Sequence, residues 1–275
     1  MKQLLLSGIV ASFIAGPALS ADIPVKAPPI VSCIWCGYYV GGNIGYGFGK
    51  ASATGDTFYT GNLGGAAGTT GVWSLSDNLT GVLGGIQVGR NTQINSKLTL
   101  GIELDFQGSG LSSAGNAATP LTVAGANGLQ SHSGFATSSE RLDWFGTVRG
   151  RLGVTPFARE TLLYATGGIA VGHSRGTLSY SEVFPGIPAT IVGAGQFSTT
   201  RLGWTAGVGV EWAPAAVRAW TFKVEYLYTD LGGMEARVPV NTLQIGPAGF
   251  PTFVASQSSQ NRFNTIRAGV NYHFN

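Results

Sequence analysis

Charge is scarce in this chain. Of its 275 residues, 16 are Lys or Arg and 13 are Asp or Glu, so 11% are charged, against about 25% in an average soluble protein. A soluble enzyme needs more charged surface, and a disordered chain needs fewer aromatic residues than the 11% found here. Long apolar runs are missing beyond the N-terminus, which excludes a polytopic helical membrane protein. Gly, by contrast, occurs 43 times, and the remaining composition is typical of an all-β protein.

The first 20 residues have the features of a secretory signal: a positive charge at Lys2, an apolar stretch, and small residues before a cleavage point. We predict cleavage after Ser20, which leaves residues 21–36 as a Pro-rich periplasmic lead-in and residues 37–275 as the main domain. Without Lys2 the formal net charge falls from +3 to +2, so no strongly basic face argues for nucleic acid as a partner.

Eight windows of the mature chain alternate apolar with small or polar residues, and each is long enough for a tilted strand to cross a membrane. The windows lie at 38–51, 79–91, 97–108, 140–154, 161–176, 201–212, 220–230 and 261–274. An even number of antiparallel strands is usual for a closed bacterial barrel.

The segments between these windows alternate in length. Four long segments of 24 to 31 residues lie at 52–78, 109–139, 177–200 and 231–260, and three short ones of 5 to 7 residues lie at 92–96, 155–160 and 213–219. Outer-membrane barrels have short periplasmic turns and long extracellular loops. The sequence therefore predicts an all-β fold, an eight-stranded antiparallel transmembrane β-barrel, with both chain ends at the periplasmic rim.

Alternation also predicts which side chains face the lumen, because successive strand residues point to opposite sides. A Lys or Arg facing lipid near the midplane costs about 2 to 4 kcal/mol, so charged residues belong inside. The predicted lumen charge network consists of Glu103, Asp105, Asp143, Arg149, Arg151, Arg201, Glu211, Lys223, Glu225 and Arg267. Side chains can just fill the interior of an eight-stranded barrel, so we expect cross-linking, with a narrow water-filled path as the alternative.

Aromatic residues cluster at the ends of the windows, as in the interfacial girdles of membrane barrels. This predicted girdle set consists of Trp35, Tyr38, Trp204, Trp212, Trp220, Tyr226, Tyr228 and Tyr272.

Motifs that would carry catalysis or bind a cofactor are weak. Residues 172–176 match G-x-S-x-G, but no helical periodicity follows them, as a nucleophile elbow requires. His132, His173 and His273 have no metal-site spacing, and none has Ser two positions later, as the barrel-shaped lipid A deacylases do. We predict a protein that is not an enzyme, with no catalytic, metal or cofactor site.

Cys33 and Cys36 form a C-x-x-C motif immediately before the first window. Zinc would need two more ligands, and a redox role usually needs a helix beneath the thiols. In an oxidising periplasm we expect a local disulfide.

Four stretches carry a likeness that spans nearly the whole mature chain: residues 21–24 (ADIP), 35–45 (WCGYYVGGNIG), 164–168 (YATGG) and 267–274 (RAGVNYHF). In these stretches the chain resembles the small major outer-membrane proteins of alphaproteobacteria. The resemblance implies an eight-stranded barrel, abundance in the outer membrane and, in some members, porin-like conductance or haemin binding. It also implies that Tyr272 and Phe274 are the C-terminal signal for the barrel-insertion machinery, although Asn275 follows them here.

These observations predict an integral protein of the cell outer membrane with a structural role in envelope integrity and surface-exposed loops. The alternatives are a narrow porin for small ions or solutes, and a haemin-binding or adhesive surface protein. The expected partners are outer-membrane lipid, lipopolysaccharide, the insertion machinery and periplasmic chaperones, and we expect a monomer.

Overall fold

The structure, a computed structural model, describes residues 33–60, 68–125, 128–183, 190–217, 219–240 and 252–274. The predicted signal peptide and all but the last four residues of the lead-in lie outside this part of the chain. Their bounds therefore stay predictions.

Nine strands and one short 3-10 turn make up the described chain, and every pairing is antiparallel. The strands are β1 (Gly37–Thr60), β2 (Gly68–Gln93), β3 (Leu98–Ser109), β4 (Ser112–Gly125), β5 (Gly128–Val154), β6 (Thr161–Val183), β7 (Thr190–Trp212), β8 (Trp220–Val240) and β9 (Thr252–Phe274). The 3-10 turn (Ala215–Val217) precedes β8. No helix in the described chain is long and apolar enough to cross a membrane.

The sheet closes on itself because β1 pairs with both β2 and β9. The strands β3 and β4 share one position in the barrel, since β5 pairs with β4 over its first half and with β3 over its second. The break between them falls at Gly110 and Leu111, whose backbones still bond to Val82 and Leu142 at 2.9 Å each. The barrel therefore has eight positions, as predicted, with the third strand interrupted once.

The strands run further than the sequence windows. The ladder between β1 and β2 continues from Gly37 opposite Asn91 to Tyr59 opposite Gly68, well into the segment expected to be a loop. At about 3.3 Å per residue the 24 residues of β1 span roughly 80 Å, more than twice a hydrocarbon core of about 30 Å. Much of each long segment is therefore a β-hairpin that extends beyond the lipid.

The two faces of the wall have the predicted character. Along β3, Leu100, Ile102, Leu104 and Phe106 are exposed, whereas the intervening Glu103 is fully buried in the lumen. The apolar belt is the band of exposed apolar side chains that continues this pattern around the barrel; it includes Ile44, Val88, Val148, Ile169, Val208, Val224 and Ile266. This band supplies the surface that contacts lipid.

Candidate functional site

Eight charged side chains meet in the middle of the lumen and form what we call the central ion-pair layer. Its members are Glu103, Asp105, Arg149, Arg151, Glu211, Lys223, Glu225 and Arg267, four acidic and four basic residues. Each is buried in the described structure. Because isolated buried charges are strongly unfavourable, the equal numbers and direct contacts are what make this layer possible.

Glu103 is the most connected carboxylate of the central ion-pair layer. Its oxygens accept hydrogen bonds from Lys223 Nζ at 2.9 Å, from Arg149 Nη2 at 2.5 Å and from the hydroxyl of Tyr39 at 2.7 Å. Glu103 lies on β3 and Lys223 on β8, with three barrel positions between them in either direction. This ion pair therefore joins opposite walls of the lumen.

The remaining members extend the layer across the lumen. Arg149 donates to Glu225 at 2.9 Å, and Arg267 donates to Glu225 at 2.6 Å and to Asp105 at 3.2 Å. Nearer the short turns, Arg151 donates to Glu211 at 2.6 Å.

Two glycines of the wall make room for aromatic rings in this layer. A Cβ on Gly89 would lie 2.3 Å from the ring of Tyr39, and one on Gly209 would lie 2.4 Å from the ring of Tyr164. The guanidinium of Arg151 sits over the Tyr164 ring at 4.0 Å. Part of the high glycine content thus reflects the packing of a narrow lumen, since no other side chain fits at these two positions.

An apolar layer fills the lumen on the hairpin side of the ion pairs. It consists of Leu79, Leu83, Leu111, Leu142, Phe145, Ala170, Leu231 and Phe263, with Ala51 packed against them. Phe145 on β5 and Phe263 on β9 also come from opposite walls, and their ring centroids are 5.4 Å apart. This layer could not be predicted from the sequence, because its residues are of the same types as those that face lipid.

A second polar cluster lies beyond the apolar layer. Arg201 donates to Glu140 at 2.6 Å, Gln257 donates to Ser138 at 2.9 Å, and Asn261 donates to Glu140. Arg201 faces the lumen in this second cluster, and its hydrogen bonds and ion pair in the described structure go to residues other than the eight of the central ion-pair layer. Its partner Glu140 was missed by the sequence analysis.

Asp143 is a correction to the predicted network. The pairing of β5 with β6 shifts register between Leu142 and Trp144, so Asp143 is an extra, bulged residue. Such a bulge reverses the facing of every residue before it, which turns Leu142 and Glu140 inward and Asp143 outward. On the outer face Asp143 accepts two hydrogen bonds from Arg175, at 2.6 and 2.8 Å.

The short-turn end of the lumen holds the disulfide. Cys33 and Cys36 are bonded, and the turn between them inserts Trp35 among Leu162, Tyr164 and Ala213. Trp35 Nε1 donates to the carbonyl of Arg159 at 2.9 Å. The prediction that Trp35 belongs to the girdle set was therefore wrong, since the disulfide turn places the Trp35 ring inside the barrel.

Other members of the girdle set do lie on the outer wall. The exposed rings are those of Tyr38, Trp204, Trp212, Trp220, Tyr226 and Tyr272. Phe274 is exposed at the end of β9 and contacts Tyr272 edge to face at 5.3 Å. A role for this pair in insertion stays a prediction.

Ser174 and His173, which belong to the G-x-S-x-G match, do not form a catalytic pair with each other. Ser174 is buried in the lumen, whereas the neighbouring His173 lies on the outer face, stacked on Trp144 at 5.8 Å. In the described residues no group of three or more His, Cys, Asp or Glu side chains is arranged to hold a metal ion.

Comparisons with known proteins agree with this architecture. The family described as "Outer membrane protein beta-barrel domain" matches residues 13–274. A 31 kDa outer-membrane immunogenic protein of Brucella melitensis is 34% identical over 280 residues, and the alignment covers 100% of both chains. A protein of the same description from Brucella suis gives the same values.

Solved structures with low sequence identity were also found. The outer membrane protein OprG of Pseudomonas aeruginosa is 14% identical with a TM-score of 0.35, and 87% of this chain and 97% of OprG are covered. Neisserial surface protein A is 14% identical with a TM-score of 0.30, and 86% and 97% are covered. On the family match and the Brucella relatives, the chain belongs to the alphaproteobacterial family of outer-membrane β-barrel proteins and resides in the cell outer membrane.

Proposed function

We propose that this protein is a sealed structural barrel that contributes to the integrity of the outer membrane. The observation that carries the proposal is the contact between Phe145 and Phe263, which joins opposite walls at the level of the apolar layer. A hydrated ion cannot pass a layer of contacting apolar side chains without first displacing them, because that layer offers the ion no polar partner.

The central ion-pair layer supports the same proposal at a second level. Its cations and carboxylates bond to one another across the lumen, so each carboxylate of the layer is paired with a cation of the protein. In a conducting pore, charged side chains of this kind face water and attract passing ions. The two layers in series favour a closed barrel over the narrow porin.

The positions of Ser174 and His173 support a non-enzymatic role, because they do not allow the G-x-S-x-G match to act as a Ser–His pair. Successive residues on a strand face opposite sides, so the hydroxyl and the imidazole have the strand wall between them. Lipid A that is modified by the wild-type protein but not by Ser174→Ala would overturn this part of the proposal.

The envelope role is tested in the source bacterium by deleting the gene and restoring it. We expect the deletion strain to leak periplasmic proteins and to become sensitive to detergent, and the wild-type gene to restore both properties. A porin predicts a different outcome, in which uptake of small solutes falls while leakage and detergent sensitivity stay unchanged. A strain lacking the protein with intact envelope properties would contradict the proposal.

Haemin binding or adhesion would depend on the outer ends of the hairpins. Most side chains there lie outside the described residues, so these alternatives stay predictions. A spectral titration with haemin that gave no Soret shift would dismiss the first of them.

A further inference from the structure

A groove of about 570 Å³ crosses the outer wall where β2, β1, β9 and β8 leave the apolar belt. Six side chains of its lining matter here: Phe48, Lys50, Asn78, Tyr228, Gln260 and Arg262. In the strand register Lys50 lies directly opposite Asn78 on one side and Arg262 on the other. The groove therefore presents a row of polar and cationic side chains on the lipid-facing surface of the barrel.

The charges in this row are unbalanced. Lys50 and Arg262 are cross-strand neighbours, an arrangement in which like charges repel. Arg262 donates through Nε to Asp230 at 2.9 Å, but its side chain remains 54% exposed. Lys50 has no ion pair within the described part of the chain. The one carboxylate at this row pairs with Arg262 alone, so an anion from outside the chain would relieve the repulsion between Arg262 and Lys50.

The height of the groove on the barrel restricts what that anion can be. Phe48 and Tyr228 lie at the edge of the groove nearest the apolar belt, and Ile44 and Tyr46 continue the exposed apolar surface below Phe48. The long hairpins mark this end of the barrel as the extracellular one. A ligand that suits both surfaces has an anionic, hydrogen-bonding headgroup above and apolar chains below.

We propose that this groove binds the phosphorylated sugar headgroup of lipopolysaccharide in the outer leaflet. Lys50 and Arg262 contact a phosphate, with the charge-assisted hydrogen bonds that guanidinium and ammonium groups make to phosphate oxygens. Asn78 and Gln260 supply amide donors and acceptors for sugar hydroxyls. The acyl chains lie along the apolar belt below Phe48. The site is on the outer wall and does not depend on whether the lumen conducts.

A second cationic patch on the opposite side of the barrel differs from the groove, because it has a carboxylate of its own. There Arg141 and Arg175 are also cross-strand neighbours, but Asp143 lies between them and takes both hydrogen bonds from Arg175. Asp143 is also 3.6 Å from Arg141. In that patch the carboxylate of Asp143 already offsets the positive charge of Arg141 and Arg175, so an external anion is less strongly favoured there.

The test compares two double variants of the folded mature protein in neutral detergent. Lys50→Ala with Arg262→Ala removes the proposed phosphate ligands. Arg90→Ala with Lys97→Ala removes two exposed cations from the short-turn end and is the matched control. Native mass spectrometry measures binding of diphosphorylated lipid A. We expect the first variant to bind on the order of tenfold more weakly and the control to bind like wild type.

Three further arms keep the test decisive if the first variant folds poorly. Lys50→Arg with Arg262→Lys retains both charges and should bind like wild type. Dephosphorylated lipid A should bind the wild-type protein on the order of tenfold more weakly than the diphosphorylated form, and inorganic phosphate should not compete.

Three outcomes would overturn the proposal. The first is equal binding of diphosphorylated lipid A by wild type and the Lys50/Arg262 variant. The second is effective competition by inorganic phosphate, which would assign the groove to a free anion. The third is a dimer in detergent that forms without lipid A and is lost in the variant, which would assign the groove to a second copy of this chain.

Discussion

The central ion-pair layer and the apolar layer fill adjacent levels of one lumen by opposite means. Ion pairs such as Glu103 with Lys223 close the first level, and contacting rings such as Phe145 with Phe263 close the second. A narrow barrel can therefore use ion pairs at one level of its lumen and apolar packing at the next, with a different role for each. Buried ion pairs are directional, so they specify which strands face each other across the lumen and in what register. Apolar packing stabilises the barrel through burial and leaves no charge that needs a partner.

The largest effect should come from unbalancing the central ion-pair layer. Glu103→Ala leaves Lys223, Arg149 and Arg151 without a shared carboxylate, and removal of one member of a buried ion pair costs about 3 to 5 kcal/mol. Urea unfolding in detergent, followed by heat-modifiable gel mobility, measures the loss.

The matched control removes both members of one ion pair, the acidic and the basic residue. Glu103→Gln combined with Lys223→Met takes away one charge of each sign, so it should be much less destabilising than Glu103→Ala. If the double variant were the less stable of the two, the balance of charge would not be what holds this layer.

An effect of similar or slightly smaller size should follow from opening the apolar layer. Phe263→Ala removes a ring that is almost fully buried, and truncation of a core Phe costs about 3 to 5 kcal/mol. The outward Val148→Ala is the control, since that side chain faces lipid. The same unfolding assay compares the two, and equal losses would contradict a packed lumen.

How far sequence alone could predict these two layers follows from the chemistry of each. A charge in a membrane wall has only the lumen to face, so alternation located the eight members of the ion-pair layer. Leu79 and Phe263 resemble lipid-facing residues in type, so nothing in the pattern marked them as lumen-filling. The bulge at Asp143 was also invisible, because one extra residue reverses facing without changing composition.

The hairpins show a second limit of sequence reasoning. Their Gly, Ala, Ser and Thr residues give weak alternation, and this ended the predicted strands too early. The ladder nevertheless continues, since each of the four extended hairpins keeps its antiparallel partner alongside.

A medium effect should come from the glycine that faces Tyr39. Gly89→Ala places a Cβ against the ring, and such overpacking typically costs about 1 to 3 kcal/mol. Adding Tyr39→Ala should recover part of that loss, in a double-mutant cycle measured by urea unfolding. If the losses of unfolding free energy in the two single variants were strictly additive, contact with the Tyr39 ring would not be the reason that position 89 requires glycine.

The smallest effect should come from the outer wall, where Asp143 bonds to the exposed Arg175. Exposed ion pairs contribute little, so Asp143→Asn should destabilise less than any lumen variant. Urea unfolding in detergent compares Asp143→Asn with wild type and with the lumen variants.

Planar-bilayer recording of the refolded mature protein tests the filled lumen most directly. A filled lumen predicts a flat baseline without single-channel steps for the wild-type barrel, under conditions in which a known porin conducts. Reproducible steps that are lost or altered in Glu103→Ala or Arg267→Ala would contradict it, because ions would then be passing through the central ion-pair layer.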